Sequence, residues 1–345
     1  RWGWGETKFQ DETNYLAASG RLLYAIERYG EDVEGLTWYD LETGQRLGEF
    51  ALPGVYQVLP VGKLIVAATI DQVMAIAVSA AHARRVWRVE AQPLDIRIAG
   101  GHVHVLDRTV TPYRIATLSL KDGKTQWTCD TTDVWPEGVD ADAKGASQPI
   151  RLCGARDGRL LVWAARKRDP NSRSSHNDGD VLLCLDAETG KRRWQYRPSC
   201  ENDLHLGYAN NVVHDRDVVY TLALANVAFE NRGKTERRKS QVQVVLDAKT
   251  GRELRRTAIR ITNPMCQPAW CSPRFFTPRD HVLRAVSLED TGPPQIGRRA
   301  GCGVSSIAAL GLTFNGSHVC SCGGGYQKFA NIGMKSGSCL LYTSD

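Results

Sequence analysis

Short apolar runs separated by turn residues dominate this chain, and few long stretches carry the 3.6-residue period of an amphipathic helix. Three runs, YRIAT before Leu118, DVLLC before Leu185 and SQVQVV before Leu246, partly alternate apolar with polar positions. They are rich in β-branched residues, which predicts strands. Six further runs begin just after a glycine or a charged turn residue: GRLLYAIE at Gly20, GKLIVAAT at Gly62, GHVHVLD at Gly101, GRLLVWAAR at Gly158, RDVVYTLALA at Arg216 and RDHVLRAV at Arg279. The pattern predicts an all-β protein of at least six similar antiparallel units and argues against an α/β fold.

The segments that join these strands nearly repeat. YDLETGQRLGEF spans residues 39–50, LSLKDGKTQWTC 118–129, LDAETGKRRWQY 185–196 and LDAKTGRELRRT 246–257. Gly44, Gly123, Gly190 and Gly251 supply the positive φ of a tight hairpin. Asp40, Asp186 and Asp247 stand where a carboxylate can receive turn amides, and Thr189 follows in the same turn. Trp87, Trp127 and Trp194 lie on returning strands, as broad flat residues suited to packing between two layers, where Trp127 and Trp194 are expected to be mostly buried. The second unit, AVSAAHARRVWRV, keeps Trp87 but has His82 and Ala83 where Thr-Gly would stand. The first turns are spaced by about 40 residues, the length of a four-stranded propeller blade. Later spacings are longer. The polar stretches RKRDPNSRSSHNDG and ENRGKTERRKS are expected to be surface-loop insertions.

The pattern Asp-Ala-x-Thr-Gly-Lys/Arg-x-x-Trp resembles the pyrroloquinoline quinone (PQQ) repeat, found in bacterial β-propellers. Asp186, Ala187, Thr189, Gly190, Lys191 and Trp194 match it fully. Gly123, Lys124 and Trp127 match its second half, with Asp122 in place of Thr. Asp247 to Arg252 match its first part, with Arg255 at the Trp position; Asp40, Thr43 and Gly44 match in the first unit, with Gly48 at the Trp position. The resemblance implies a propeller of about six to eight four-stranded blades, with each Trp docked between neighbours. On this reading residues 1–338 are one propeller domain. The tail CLLYTSD, residues 339–345, resembles a translated sequencing-adapter end and is expected to be foreign.

Composition narrows the function classes. Hydrophobic residues make up 42% and charged residues 24% of 345, as in a folded globular protein. No run reaches the ~18 apolar residues of a membrane-spanning helix. The net charge of +6 is scattered apart from two basic runs at 166–173 and 232–239. Neither run interleaves aromatics with its charge, so no nucleic-acid partner is expected. Of ten cysteines, Cys129, Cys153, Cys184 and Cys200 stand apart and suit buried thiols, while the rest gather toward the C-terminus. There Cys302, His318, Cys320 and Cys322 leave three readings open: disulfides, buried thiols, or a metal site with soft and borderline ligands. This clustering also suggests an oxidising compartment, and the repeat resemblance implies an extracytoplasmic one such as the periplasm.

Repeat resemblance alone does not separate binding propellers from catalytic ones. A non-catalytic branch, typified by the BamB lipoproteins of outer-membrane barrel assembly, implies a scaffold that binds a protein or polymer segment on a propeller face. A PQQ-dependent dehydrogenase, the alternative, would need PQQ and calcium, and resemblance to those enzymes would bring adjacent cysteines and a Glu-Asn-Asp calcium site. No Cys-Cys pair occurs. A redox or metal module built on the C-terminal cysteines is the third reading. His205, His214 and His281 are isolated and are expected to be structural. The expectation is a scaffold without a cofactor.

Overall fold

The chain is described from a computed structural model, which covers residues 15–29, 33–80, 82–110, 113–131, 150–165, 179–197, 203–206, 212–231 and 233–259, with short strand segments between 270 and 315. Antiparallel strands run almost throughout. The first sheet is β1 (Tyr15–Ser19), β2 (Leu22–Tyr29), β3 (Val33–Asp40) and β4 (Arg46–Ala51), paired in chain order. The second is β5 (Val55–Val61), β6 (Leu64–Thr69), β7 (Gln72–Val78) and β8 (Ala83–Glu90). β9 (Pro93–Ala99), β10 (His102–Asp107), β11 (Arg114–Ser119) and β12 (Thr125–Asp130) make the third. β13 (Ile150–Arg156), β14 (Arg159–Ala165), β15 (Gly179–Asp186) and β16 (Arg192–Tyr196) follow in the same order.

After β17 (Asp203–Leu206), which pairs with both β15 and β19, comes the order β18 (Val213–Asp215), β19 (Val218–Asn231), β20 (Lys234–Asp247) and β21 (Glu253–Ile259). A further four-stranded sheet joins β22 (Trp270–Cys271), β23 (Phe275–Thr277), β24 (Leu283–Ser287) and β25 (Gln295–Gly297). β26 (Ser306–Ala309) and β27 (Leu312–Asn315) form a hairpin. Among the described residues this makes four four-stranded sheets, one nine-stranded sheet that holds the fourth and fifth repeats, and one further pair.

Two compact units result, Arg1–Asn177 with Leu182–Gln195, and Asp178–Val181 with Tyr196–Asp345. Within the first, β1 packs beside β5, β5 beside β9 and β9 beside β13, so the first strand of each blade is its inner strand. Middle strands are buried on both faces, which is why LIVAAT at 64–69 reads as a continuous apolar run rather than an alternation. Ile65, Ala67, Met74 and Ile76 pack toward the first blade, with Tyr24, Leu36 and Trp38. Val66, Ala68, Val73 and Ala75 pack the opposite way, against Trp87, Ile96, Val103 and Val105.

The repeated turn has one hydrogen-bond design. Asp40 Oδ1 accepts the amides of Glu42 (3.0 Å) and Thr43 (2.8 Å), and the Gly44 amide donates to the Asp40 carbonyl at 2.8 Å. Asp186 repeats this with Glu188 and Thr189, and Asp247 with Lys249 and Thr250. In the third blade Ser119 holds the Asp position in the turn, with the Gly123 amide donating to its carbonyl. The second blade closes a shorter turn. The Ser79 amide and hydroxyl both donate to the His82 carbonyl, and the His82 amide donates back to Ser79 Oγ. No positive-φ glycine is needed there.

One expectation is corrected. The insertion at 230–240 is not a loop: β19 and β20 continue through it as fourteen-residue strands, paired from Val218↔Asp247 to Asn231↔Lys234. Trp127 keeps part of its ring exposed, but most of its surface is covered, as expected. Trp194, at 7% exposure, is buried as expected. The insertion at 166–178 and the C-terminal residues Cys302, His318, Cys320 and Cys322 lie outside the described residues, as do Cys200, His281 and the tail at 339–345.

Candidate functional site: interblade joints and the inner strands

The repeat residues come together across blades rather than within one. Trp127 Nε1 donates to the carbonyl of Ala187 in the next blade at 3.1 Å, and its ring lies on Gly190, where a Cβ would stand 2.7 Å from Cε3. Trp87 Nε1 likewise donates to the Leu120 carbonyl at 2.8 Å, with its ring on Gly123. The turn glycine therefore does two things: it supplies the positive φ and it seats the indole of the preceding blade. A register shift falls immediately beside each docking position, placing Val86 and Gln126 opposite no partner. This bulge re-aims the following Trp, and it leaves Val86 37% exposed.

The joint between the first two blades lacks both repeat residues, with Gly48 at the Trp position and a shorter turn, followed by Ala83 at the start of β8, in place of the glycine. Trp38 on β3 replaces the missing indole. It is the register partner of Gly48, and a Cβ on Gly48 would fall inside its ring. Its Nε1 donates to the Ala80 carbonyl at 3.3 Å, at the position that Leu120 and Ala187 hold in the other joints. Trp38 is 1% exposed. Sequence reading missed it because it lies one strand away from the repeat's Trp position; the signal was a lone Trp directly across the hairpin from a glycine.

Under the third joint lies His104. Its Nδ1 is 2.8 Å from Thr117 Oγ1, its ring centroid is 6.1 Å from that of Trp127, and its Nε2 has no partner among the described residues. Burial, with His102 nearby, lowers its pKa to about 4, so the ring is neutral at pH 7. Thr43 amide bonding and Arg21 hold the Asp40 carboxyl at about 2. Burial works against Asp186, but Arg193 and the Thr189 amide bring it to about 2 as well. Asp247 is lowered by Thr250. These carboxylates are committed to the turns. His214 Nε2 donates to the Arg216 carbonyl at 3.0 Å. His205 lies on β17.

A second cluster, unnoticed in the sequence, sits on the inner strands of blades two, three and four. The Gln57 amide pairs with the Ile96 backbone in both directions, accepting from its N–H and donating to its carbonyl, each at 3.1 Å. Gln57 also donates to Asp95 Oδ1 at 3.4 Å, and Tyr56 OH donates to the Pro93 carbonyl. Asp95 is buried and bonded by Arg97 Nη1, which also donates to the Ile96 carbonyl at 2.8 Å. Burial pushes the Asp95 carboxyl up against the pull of Arg97 and Arg151. Burial also raises the Cys153 thiol to about 12, beside Arg97, Asp95 and Arg151. That thiol is protonated and is a poor nucleophile. Cys184 is buried and likewise raised to about 12, while Cys129 and Cys153 are half-buried. The available signal was alternation: PLDIRIA and IRLCGAR place Asp95, Arg97, Arg151 and Cys153 on alternate positions between apolar ones.

Among the described residues no group of three or more His, Cys, Asp or Glu is close enough to hold a metal ion. No helix among them is long and apolar enough to cross a membrane. What the inner strands offer is hydrogen-bonding and charge recognition.

Four-stranded antiparallel blades, inner strands stacked side by side and indoles docked on the next blade's turn define a β-propeller of PQQ-like repeats. The family model described as outer membrane protein assembly factor BamB matches residues 31–250, and the chain belongs to that family. No curated protein matched it in a whole-sequence comparison. Among solved structures, the WD40 domain of Neurospora crassa Pan2 is similar in fold, with TM-score 0.50 and 12% identity over 88% of this chain and 84% of that one. BamB from Moraxella catarrhalis gives TM-score 0.48 and 15% identity, over 87% and 92%. A quinohemoprotein alcohol dehydrogenase, ADHIIG from Pseudomonas putida HK5, gives 0.44 and 14%, over 87% and 50%.

Proposed function

We propose that this chain is a non-catalytic binding scaffold that holds a protein or polymer segment on its propeller and acts outside the cytoplasm in assembly at the outer membrane. The observation that supports it most is the inner-strand cluster. Gln57, Asp95 and Arg97 are fixed by mutual hydrogen bonds, and the thiol beside them is kept protonated. Such a surface recognises groups and does not attack them. Family membership supports the same reading, including a compartment outside the cytoplasm.

The test has two arms. Directed to the periplasm of a bacterium deleted for its own BamB, the chain is expected to restore outer-membrane porin levels. Incubated with PQQ and calcium, the purified chain is expected to show no dye-linked oxidation of short alcohols or sugars. Stoichiometric PQQ retention with turnover overturns the scaffold reading in favour of a quinoprotein dehydrogenase.

A further inference from the structure

Arg151 differs from the other basic side chains of the first unit. It is half-buried on β13 and lies in the fields of Asp95, Arg97 and Cys153. Among the described residues no protein group accepts a hydrogen bond from its guanidinium, and its nitrogens are not sealed from solvent. Arg97, 30% exposed, uses Nη1 on Asp95 and the Ile96 carbonyl, while its Nε and Nη2 have no protein acceptor among the described residues. Among the described residues Arg97 forms an ion pair with Asp95 and Arg151 does not; because β13 packs beside β9, Arg151 adds a second guanidinium near one carboxylate, and the three side chains carry a formal surplus of one positive charge. A half-buried cation without a partner is costly. Burial presses the Arg151 pKa downward, as expected of a charge that Asp95 only partly offsets. The planar fork of arginine matches a carboxylate with two parallel hydrogen bonds. One carboxylate group brings the cluster to neutrality.

We propose that Arg151, with the open edge of Arg97, receives an acidic side chain of the bound protein segment, so that two guanidiniums and two carboxylates close one network on the inner strands. The proposal rests on the scaffold reading and adds the chemistry of the contact. The full chain is titrated at pH 7 and constant ionic strength with acetyl-Glu-Glu-Glu-amide, citrate and inorganic phosphate. Arginine Nε–Hε resonances and the thermal midpoint are the readouts. Saturable shifts at the Arg97 and Arg151 resonances are expected with the peptide and citrate.

Affinity for both should fall at least tenfold in Arg151→Gln. It should change less than twofold in Arg85→Gln, which removes the same charge from the outer strand β8. Arg151→Lys, which keeps the charge and loses the fork, is expected to fall between. Arg151→Met is expected to raise the thermal midpoint in low salt and to abolish the rise that citrate causes. No saturable shift, unchanged affinity in Arg151→Gln, or phosphate binding tenfold tighter than either carboxylate overturns the proposal. If Arg151→Gln loses the peptide yet restores porins like the parent chain, this contact is wrong and the scaffold reading stands. If carboxylate binding follows the pattern above but the parent chain restores no porins, the site stands and the scaffold reading falls.

Discussion

At Gly190 two demands meet in one residue. Its φ is +72°, where a side chain is strained, and the Trp127 ring occupies the space a Cβ would need. Gly20 shares only the first demand, with φ +58° and no atom within 4 Å of a built Cβ. Gly20→Ala should therefore cost about 1–2 kcal/mol, the price of the backbone conformation. Gly190→Ala should cost about 2–5 kcal/mol, because overpacking adds to it. Urea denaturation of the two variants checks this, and equal losses would mean the indole seat carries no energy. The cysteines give a second residue-scale prediction. With Cys153 and Cys184 raised to about 12, their thiolate fraction at pH 8 is about a thousandfold below that of an ordinary thiol. Native-state alkylation at these positions should be correspondingly slow and should become fast in denaturant, as peptide mapping by mass spectrometry would show.

The hairpin is the scale at which Trp38 and Gly48 make sense. Trp38 crosses from β3 to fill the position that β4 leaves empty, so each residue depends on the other. Trp38→Ala should cost about 3–5 kcal/mol, as for a large buried aromatic. Gly48→Ala should be damaging in the parent chain and nearly neutral once Trp38 is Ala. A double-mutant cycle by chemical denaturation should thus show a coupling above about 1 kcal/mol. Additive losses would mean that the indole does not occupy the Gly48 position. Mid-blade strands follow the same logic, since β6 serves two joints with its two faces.

Stability of the whole molecule should depend on pH in two separate windows. His104 has a folded pKa of about 4 against 6.5 when unfolded, so the unfolded chain binds the extra proton between those values. Its contribution is complete above pH 6.5 and is lost as pH falls toward 4, by about 3 kcal/mol. Below pH 4 this loss levels off. The turn carboxylates Asp40 and Asp186, depressed to about 2 from 3.8, act next: their stabilisation is present above 3.8 and is lost as pH falls through 2. Denaturation midpoints measured from pH 2 to 8 should show both steps in the parent chain. A His104→Gln variant should lack the upper step while keeping the acid one.

Local chemistry made the repeat legible in the chain itself. An Asp that collects turn amides, a glycine at positive φ and short β-rich runs act within about a dozen neighbouring residues, so Asp40, Asp186, Asp247 and their glycines could be read directly. The antiparallel, multi-blade class followed from their spacing. Tertiary structure alone decided which carbonyl each indole reaches, that Trp38 replaces a residue absent from β4, and that residues 230–240 extend a hairpin. It alone brought Gln57, Asp95, Arg97 and Arg151 together, from three blades and about a hundred residues of chain. The physical reason is range: a turn is closed by neighbours along the backbone, whereas an interblade joint or an inner-strand charge network is set by strands that meet only when successive blades stack.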